Sequence, residues 1–156
     1  AVVFTAGSGG HTGPEKTTDV DQDAAIRLIK DCKEHGVGRF VMISAMGADP
    51  NSESTRIQHY LRAKGVADGY LRSSGLDYTI LAPGTLLDEK GTGRIQAAEE
   101  LGFHGFLPRE DLAVCIIETL RNFYTLGKTI EIVSGADKIK DAIVEVAGGG
   151  DLPPIL

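Results

Sequence analysis

The chain opens on a short apolar run, Ala1-Val2-Val3-Phe4-Thr5-Ala6, of the kind found in a strand covered on both faces. From Thr17 to His35 the period changes to four: Val20, Ala24, Leu28 and Cys32 recur as one helical face. Thr18 and Asp21 have the spacing of a capping box, and Gly36 supplies the stop. Arg39 to Ser44 reads as a second strand, Gln58 to Ser73 as a second helix and Leu76 to Leu81 as a third strand. This alternation predicts an α/β fold with a doubly wound parallel sheet and right-handed crossovers. Between Leu86 and Leu107 the pattern dissolves; loops beyond the carboxyl ends of such strands hold the ligand, so this stretch reads as a substrate-covering region. Pro108 to Asn122 is a further helix, with Pro108 in its first turn, Glu110 and Asp111 complementing its dipole, and Leu112, Ile116, Ile117 and Leu120 as the expected buried stripe. A last strand follows from Gly127 to Val133. The glycines and prolines of the terminus predict a disordered tail over 148–156, leaving 1–147 as the structured portion, and no internal repeat is present.

Composition narrows the function classes. At 156 residues, 42% of them apolar, the chain has the length of one domain and enough apolar side chains for a packed core. A net charge of −6 without any basic cluster gives nucleic acid no electrostatic footprint and an acidic membrane surface no attraction. Apolar stretches fall far short of the ~20 residues a bilayer requires, and a cytoplasmic setting is expected by default. Cys32 and Cys115 lie on apolar helical faces and read as reduced thiols. His11, His35, His59 and His104 lack ligand spacing, so no metal site is expected; only His59 adjoins a candidate functional residue.

That residue is Tyr60. Tyr60 and Lys64 lie four apart in Ile57-Gln58-His59-Tyr60-Leu61-Arg62-Ala63-Lys64 and share one helical face. Ser44, at the end of the preceding strand, is placed to join them. A phenol titrates near ~10 in water, and a fixed ammonium alongside favours the phenolate. The expectation is that Lys64 makes Tyr60 acidic enough to exchange a proton with an alcohol or carbonyl near neutral pH. A Tyr-x-x-x-Lys arises by chance about 0.2 times in such a composition, so its weight comes from its setting between a strand ending in serine and a strand ending in Pro83-Gly84. A half-buried helix aromatic beside a solvated lysine is the plain alternative.

In this order, Ser44, Tyr60-x-x-x-Lys64 and Pro83-Gly84 resemble the short-chain dehydrogenase/reductase superfamily, and more narrowly its atypical NmrA-like or epimerase/dehydratase-like branch. The resemblance covers roughly residues 1 to 135 and corresponds to the second half of the family's Rossmann-like domain, so the fold is expected to be incomplete. It implies NAD or NADP as cofactor, Tyr60 as acid/base, Lys64 as its electrostatic partner and ribose clamp, and Ser44 as the hydroxyl that orients the substrate oxygen. The nicotinamide is expected near Pro83-Gly84-Thr85.

Two readings of the first glycine loop stay open. Gly7, Gly10 and Gly13 have the spacing of a dinucleotide fingerprint, in which backbone amides approach a pyrophosphate. Against it, Pro14 falls where the helix is expected to be under way, and Ser44-Ala45-Met46-Gly47 lacks the acidic residue that binds the ribose. The other reading sets residues 1 to 10 at the family's fourth strand, with Ala6, Gly7 and Ser8 lining the adenine-ribose side. Three strands, two helices and the pyrophosphate loop are then absent, and Val2 to Thr5 becomes an exposed edge through which the chain could form a homo-oligomer. The function expected is an NAD(P)-dependent oxidoreductase or epimerase/dehydratase-like enzyme acting on a small carbonyl or alcohol. A non-catalytic NmrA-like dinucleotide sensor, or an inactive fragment, is the alternative.

Overall fold

The computed structural model describes residues 1–54 and 56–149. Its residues group into two compact units, Ala1–Ile80 and Leu81–Leu156. The fold is mixed α/β with a mostly parallel central sheet, as the strand–helix alternation predicts.

In the first unit, strand β1 (Val2–Phe4) pairs in parallel with β2 (Arg39–Ile43), with Val3 opposite Val41. The amino half of β3 (Asp77–Pro83) follows on the other side of β2. Phe40 to Ile43 are all buried, as expected of a strand covered on both faces. Helix α1 (Pro14–Thr17) runs through a π-helical segment (Thr18–Ala24) into α2 (Ala25–Glu34). Helix α3 (Gln58–Arg72) completes the unit. Ala25, Ile29 and Cys32 of α2 and Ala67 and Leu71 of α3 pack with Phe4, Phe40, Met42 and Ile80.

The first helical segment differs from its predicted form in a telling way. Its fully buried line is Thr17, Asp21, Ala25 and Ile29, one residue on from the expected Val20, Ala24 and Leu28, which are half-buried. Four-residue steps drift by about 40° each on a regular 3.6-residue helix. The i→i+5 turns of the π segment absorb part of that drift, which holds Asp21 on the buried side. Pro14 is the first helical residue, with Gly13 before it, a position where proline is tolerated; the objection it raised to a glycine-loop role does not hold.

In the second unit, the carboxyl half of β3 lies beside β7 (Lys128–Ser134), followed by β5 (Arg94–Ala98) and β8 (Asp137–Lys138). β5 is antiparallel to both of its neighbours. β4 (Thr85–Leu87) and β6 (Phe106–Pro108) form a separate parallel pair. The region predicted as loop therefore holds three strands. They are illegible in the sequence because two of them are only three residues long and because Ile95 is the one buried residue of β5. Helix α4 (Arg109–Arg121) buries Asp111, Leu112, Cys115 and Thr119, whereas Ile117 is 47% exposed, so the expected stripe is rotated. Burial pushes the Cys115 thiol up to about 12, and the Asp111 carboxylate adds to the rise. Asp111 accepts the backbone N–H groups of Thr92 and Gly93 at 2.9 and 2.8 Å and clamps that loop onto α4. Helix α5 (Ile139–Val146), hidden by its short length, buries Ile139, Ala142 and Ile143. Residues 148 and 149 are described and residues 150–156 of the expected tail lie outside the described residues. Among the described residues no helix is long and apolar enough to cross a membrane.

Gly65 of α3 carries the approach of the 49–50 loop: a Cβ there would overlap the backbone of Asp49 and Pro50, and Asp49 N donates to Leu61 O at 3.1 Å. Gly65→Ala is expected to destabilise the chain by about 2 kcal/mol, in the range of overpacked cores, despite alanine's better helix propensity. Urea unfolding of the two proteins checks this; a gain in stability would mean the loop moves away without cost.

Candidate functional site

Helix α3 presents Tyr60, Lys64 and Asp68 at four-residue intervals, and β2 ends one residue short of Ser44. Lys64 is 4% exposed. Its Nζ donates to the Ile43 carbonyl at 3.1 Å and pairs with Asp21 Oδ1 at 3.2 Å. The same ammonium lies 5.8 Å from the centroid of the Tyr60 ring. Asp21 is fully buried, and its second oxygen accepts the Ser8 backbone N–H at 3.0 Å. Ser8 Oγ in turn lies 3.1 Å from Thr17 Oγ1. One carboxylate thus joins the glycine loop, the π segment and α3. Asp21 was read as half of a capping box; it is instead a buried partner for a lysine.

Ser44, also buried, donates its hydroxyl to Asp68 Oδ2 at 2.5 Å. Asp68 Oδ1 has no hydrogen-bond partner. Burial raises the Asp68 carboxyl to about 6, against the lowering influence of the Ser44 hydroxyl, Arg72 and Lys64.

Tyr60 is half-buried. Its phenol is pushed up to about 12, first by burial and then by the carboxylates of Asp21 and Asp68. The expectation that Lys64 acidifies Tyr60 is therefore overturned. The ammonium's field is spent on Asp21, at 3.2 Å, and the cluster holds two carboxylates against one cation. Desolvation and net negative charge both oppose the phenolate. Tyr60 is a neutral phenol and, with its pKa raised, holds its proton more tightly than a phenol in water.

Structure thus brings Ser44, Tyr60 and Lys64 to one cluster in the first unit and adds Asp21 and Asp68 to it. Sequence could have found Asp68 by extending the four-residue step from Lys64. Asp21 carried no such signal, because its burial depends on the π segment. Ala6 and Gly7 are exposed, and nothing lies within 4 Å of a Cβ built at Gly10 or Gly13. An open, glycine-rich backbone of this kind fits a sugar-phosphate group, although Ser8 N–H is already taken by Asp21. Lys64, closed off from solvent, does not present a ribose clamp as placed.

Pro83, Gly84 and Thr85 belong to the second unit. Pro83 and Gly84 are buried, and a Cβ on Gly84 would overlap the Gly105 carbonyl, so glycine is required for β4 to reach β6. Thr85 is exposed, and its Oγ1 lies 2.9 Å from His104 Nε2.

A raised carboxyl pKa makes stability pH-dependent with a fixed sign. The folded chain binds the Asp68 proton more tightly than the unfolded one, so that contribution is full below the ordinary carboxylate value near 4 and is lost as pH rises through about 6. Going from pH 7 to pH 5, wild type is expected to gain on the order of 1 kcal/mol relative to Asp68→Asn. Unfolding midpoints of both proteins across that window check it; parallel curves would show that Asp68 does not titrate there.

Comparison with known proteins shows the family to which the chain belongs. A family described as NAD(P)H-binding matches residues 1–123. The chain is 40% identical to the uncharacterized sugar epimerase YhfK of Bacillus subtilis, over 92% of this chain and 67% of that protein. It superposes with a TM-score of 0.89 on a Bacillus halodurans protein described as an NAD-dependent epimerase/dehydratase, at 39% identity, covering 93% of this chain and 69% of the other. The oxidoreductase YlbE of Lactococcus lactis gives a TM-score of 0.81 at 30% identity, over 94% and 67% of the two chains. The chain spans about two thirds of the length of the curated relatives it matches. With its parallel sheet, open glycine loop and matched residues, the chain belongs to the NAD(P)H-binding family, among oxidoreductase-like and epimerase-like Rossmann proteins.

Proposed function

We propose that this chain carries the proton-transfer end of an NAD(P)-dependent oxidoreductase or epimerase/dehydratase-like enzyme acting on a small carbonyl or alcohol. The observation that carries the reading is the reach of one ammonium: Lys64 Nζ holds the carbonyl of Ile43, the residue before Ser44, and lies 5.8 Å from the Tyr60 ring. In this reading Tyr60 gives its proton to a substrate oxygen as hydride arrives at the adjacent carbon, and takes one back in the reverse direction. Lys64 and Ser44 act from behind Tyr60, Lys64 by fixing the helix face to the end of β2 and Ser44 through its hydroxyl. Bound NAD or NADP supplies or accepts the hydride. Ala6, Gly7 and Ser8 are the segment of the first unit proposed to meet it, and Pro83, Gly84 and Thr85 are the candidates within the second unit.

A second reading is supported by the burial of Ser44 and Lys64, at 3% and 4% exposure: a non-catalytic dinucleotide sensor in which the cluster is structural. Such a protein binds cofactor without turnover across a screen of small carbonyls and alcohols.

Tyr60→Phe in the full-length gene product is expected to lower turnover at least about 100-fold, the usual scale for a lost general acid, with cofactor affinity largely kept. Nicotinamide absorbance and cofactor titration read the two quantities. Unchanged turnover removes Tyr60 from the mechanism.

A further inference from the structure

Three ionisable side chains lie in space nearly closed to water: Asp21 at 0% exposure, Asp68 at 2% and Lys64 at 4%. Two of them satisfy each other. Asp21 has the ammonium and the Ser8 N–H, while Lys64 has Asp21 and the Ile43 carbonyl. Asp68 has one oxygen bonded to Ser44 and the other without a hydrogen-bond partner, whereas Asp21 Oδ1, also without a hydrogen bond, has the Lys64 ammonium at 3.2 Å. A desolvated carboxylate oxygen with no donor is where a proton adds at least cost.

We infer that Asp68 is the positioning residue of this site: from two turns along the helix face that carries Tyr60, and hydrogen-bonded to Ser44, it holds the cluster's exchangeable proton. With Asp68 ionised, the single O–H of Ser44 is committed to Oδ2, so the serine oxygen can only accept further hydrogen bonds. When a proton from solvent adds at Oδ1, the buried net charge goes from −1 to zero, and the negative charge that opposes loss of the Tyr60 proton is halved. The pair Ser44–Asp68 then behaves as a carboxylic acid and a hydroxyl, either of which can donate. Asp68 touches neither substrate nor cofactor in this account; it acts through Ser44 and on Tyr60.

Charged and titratable groups reach Asp68 from several elements, and exposed His59 adjoins Tyr60 on α3. From the end of β2 comes Ser44, and from α3 itself come Lys64 and Arg72, whose charges both favour ionised Asp68. From the π segment come Asp21, paired with Lys64, Asp23, which accepts from Gln22 Nε2, and Asp19, which is exposed. The charged residues of α1 and α2, which also pack on α3, are exposed. Burial outweighs the favourable partners and sets the carboxyl at about 6.

This inference rests on the reading of Tyr60 as a proton-transfer group, and its test is separable from that reading. The chain, labelled with 13C at Asp carboxyl and Tyr Cζ positions, is titrated by NMR from pH 4.5 to 8. The Asp68 carboxyl is expected to titrate with a midpoint of about 6, and Tyr60 Cζ to show an inflection at the same midpoint without itself ionising. Ser44→Ala should move both midpoints upward, since the hydrogen bond that favours the ionised form is gone. Asp68→Asn should abolish the Tyr60 inflection, and a merely structural Asp68 would give none to abolish. An Asp68 midpoint near 4, or a Tyr60 signal blind to Asp68, overturns the inference while leaving Tyr60→Phe kinetics to stand or fall alone. Full turnover in Tyr60→Phe sinks the enzymatic reading but leaves the titration intact.

Discussion

A buried ion pair holds the first unit in its functional shape. Lys64 and Asp21 meet at 3.2 Å with almost no exposure, and taking two charges out of water costs several kcal/mol per ion unless further hydrogen bonds complete them. Here they are completed by backbone: the Ile43 carbonyl for the lysine and the Ser8 N–H for the aspartate. The pair therefore ties four segments at once, the glycine loop, the π segment, the end of β2 and α3. Removing either partner leaves an uncompensated charge inside a packed unit.

The same pair explains the chemistry of Tyr60. A lysine four residues along a helix invites the conclusion that the phenol is acidified, and on an exposed helix that would follow. Inside the unit, the nearest carboxylate takes most of the ammonium's field, a second carboxylate lies on the same helix face, and burial disfavours phenolate further. Three effects of one sign outweigh one of the other. The result is a phenol that stays neutral and holds its proton more tightly than one in water, the opposite of what the helix spacing alone suggests.

Much of this was legible from sequence, and the failures have physical causes. The strands Arg39–Ile43 and Asp77–Pro83 and the Tyr60 helix were readable because continuous apolar runs and a clean helical period survive tertiary packing. Ser44, Tyr60 and Lys64 were readable as a set because strand and helix ends fix their neighbourhood. Asp21 was misread because a π segment shifts which residues face inward, and a single-period reading has no way to register the extra residue. Asp68 was overlooked because an acidic residue on a helix is ordinarily solvated. The second unit defeated the pattern where its strands are short and antiparallel, and where α4 buries Asp111 and Thr119 while leaving Ile117 exposed.

The claim on which the account turns is that Asp21 and Lys64 stabilise the unit jointly. A double-mutant cycle with Asp21→Asn, Lys64→Met and the combined variant, followed by urea unfolding of the chain, measures it directly. The account predicts that each single change costs about 3 kcal/mol or more, and that the double variant costs less than the two together by at least about 2 kcal/mol. Costs that simply add would contradict it, for the two residues would then contribute to stability independently of each other.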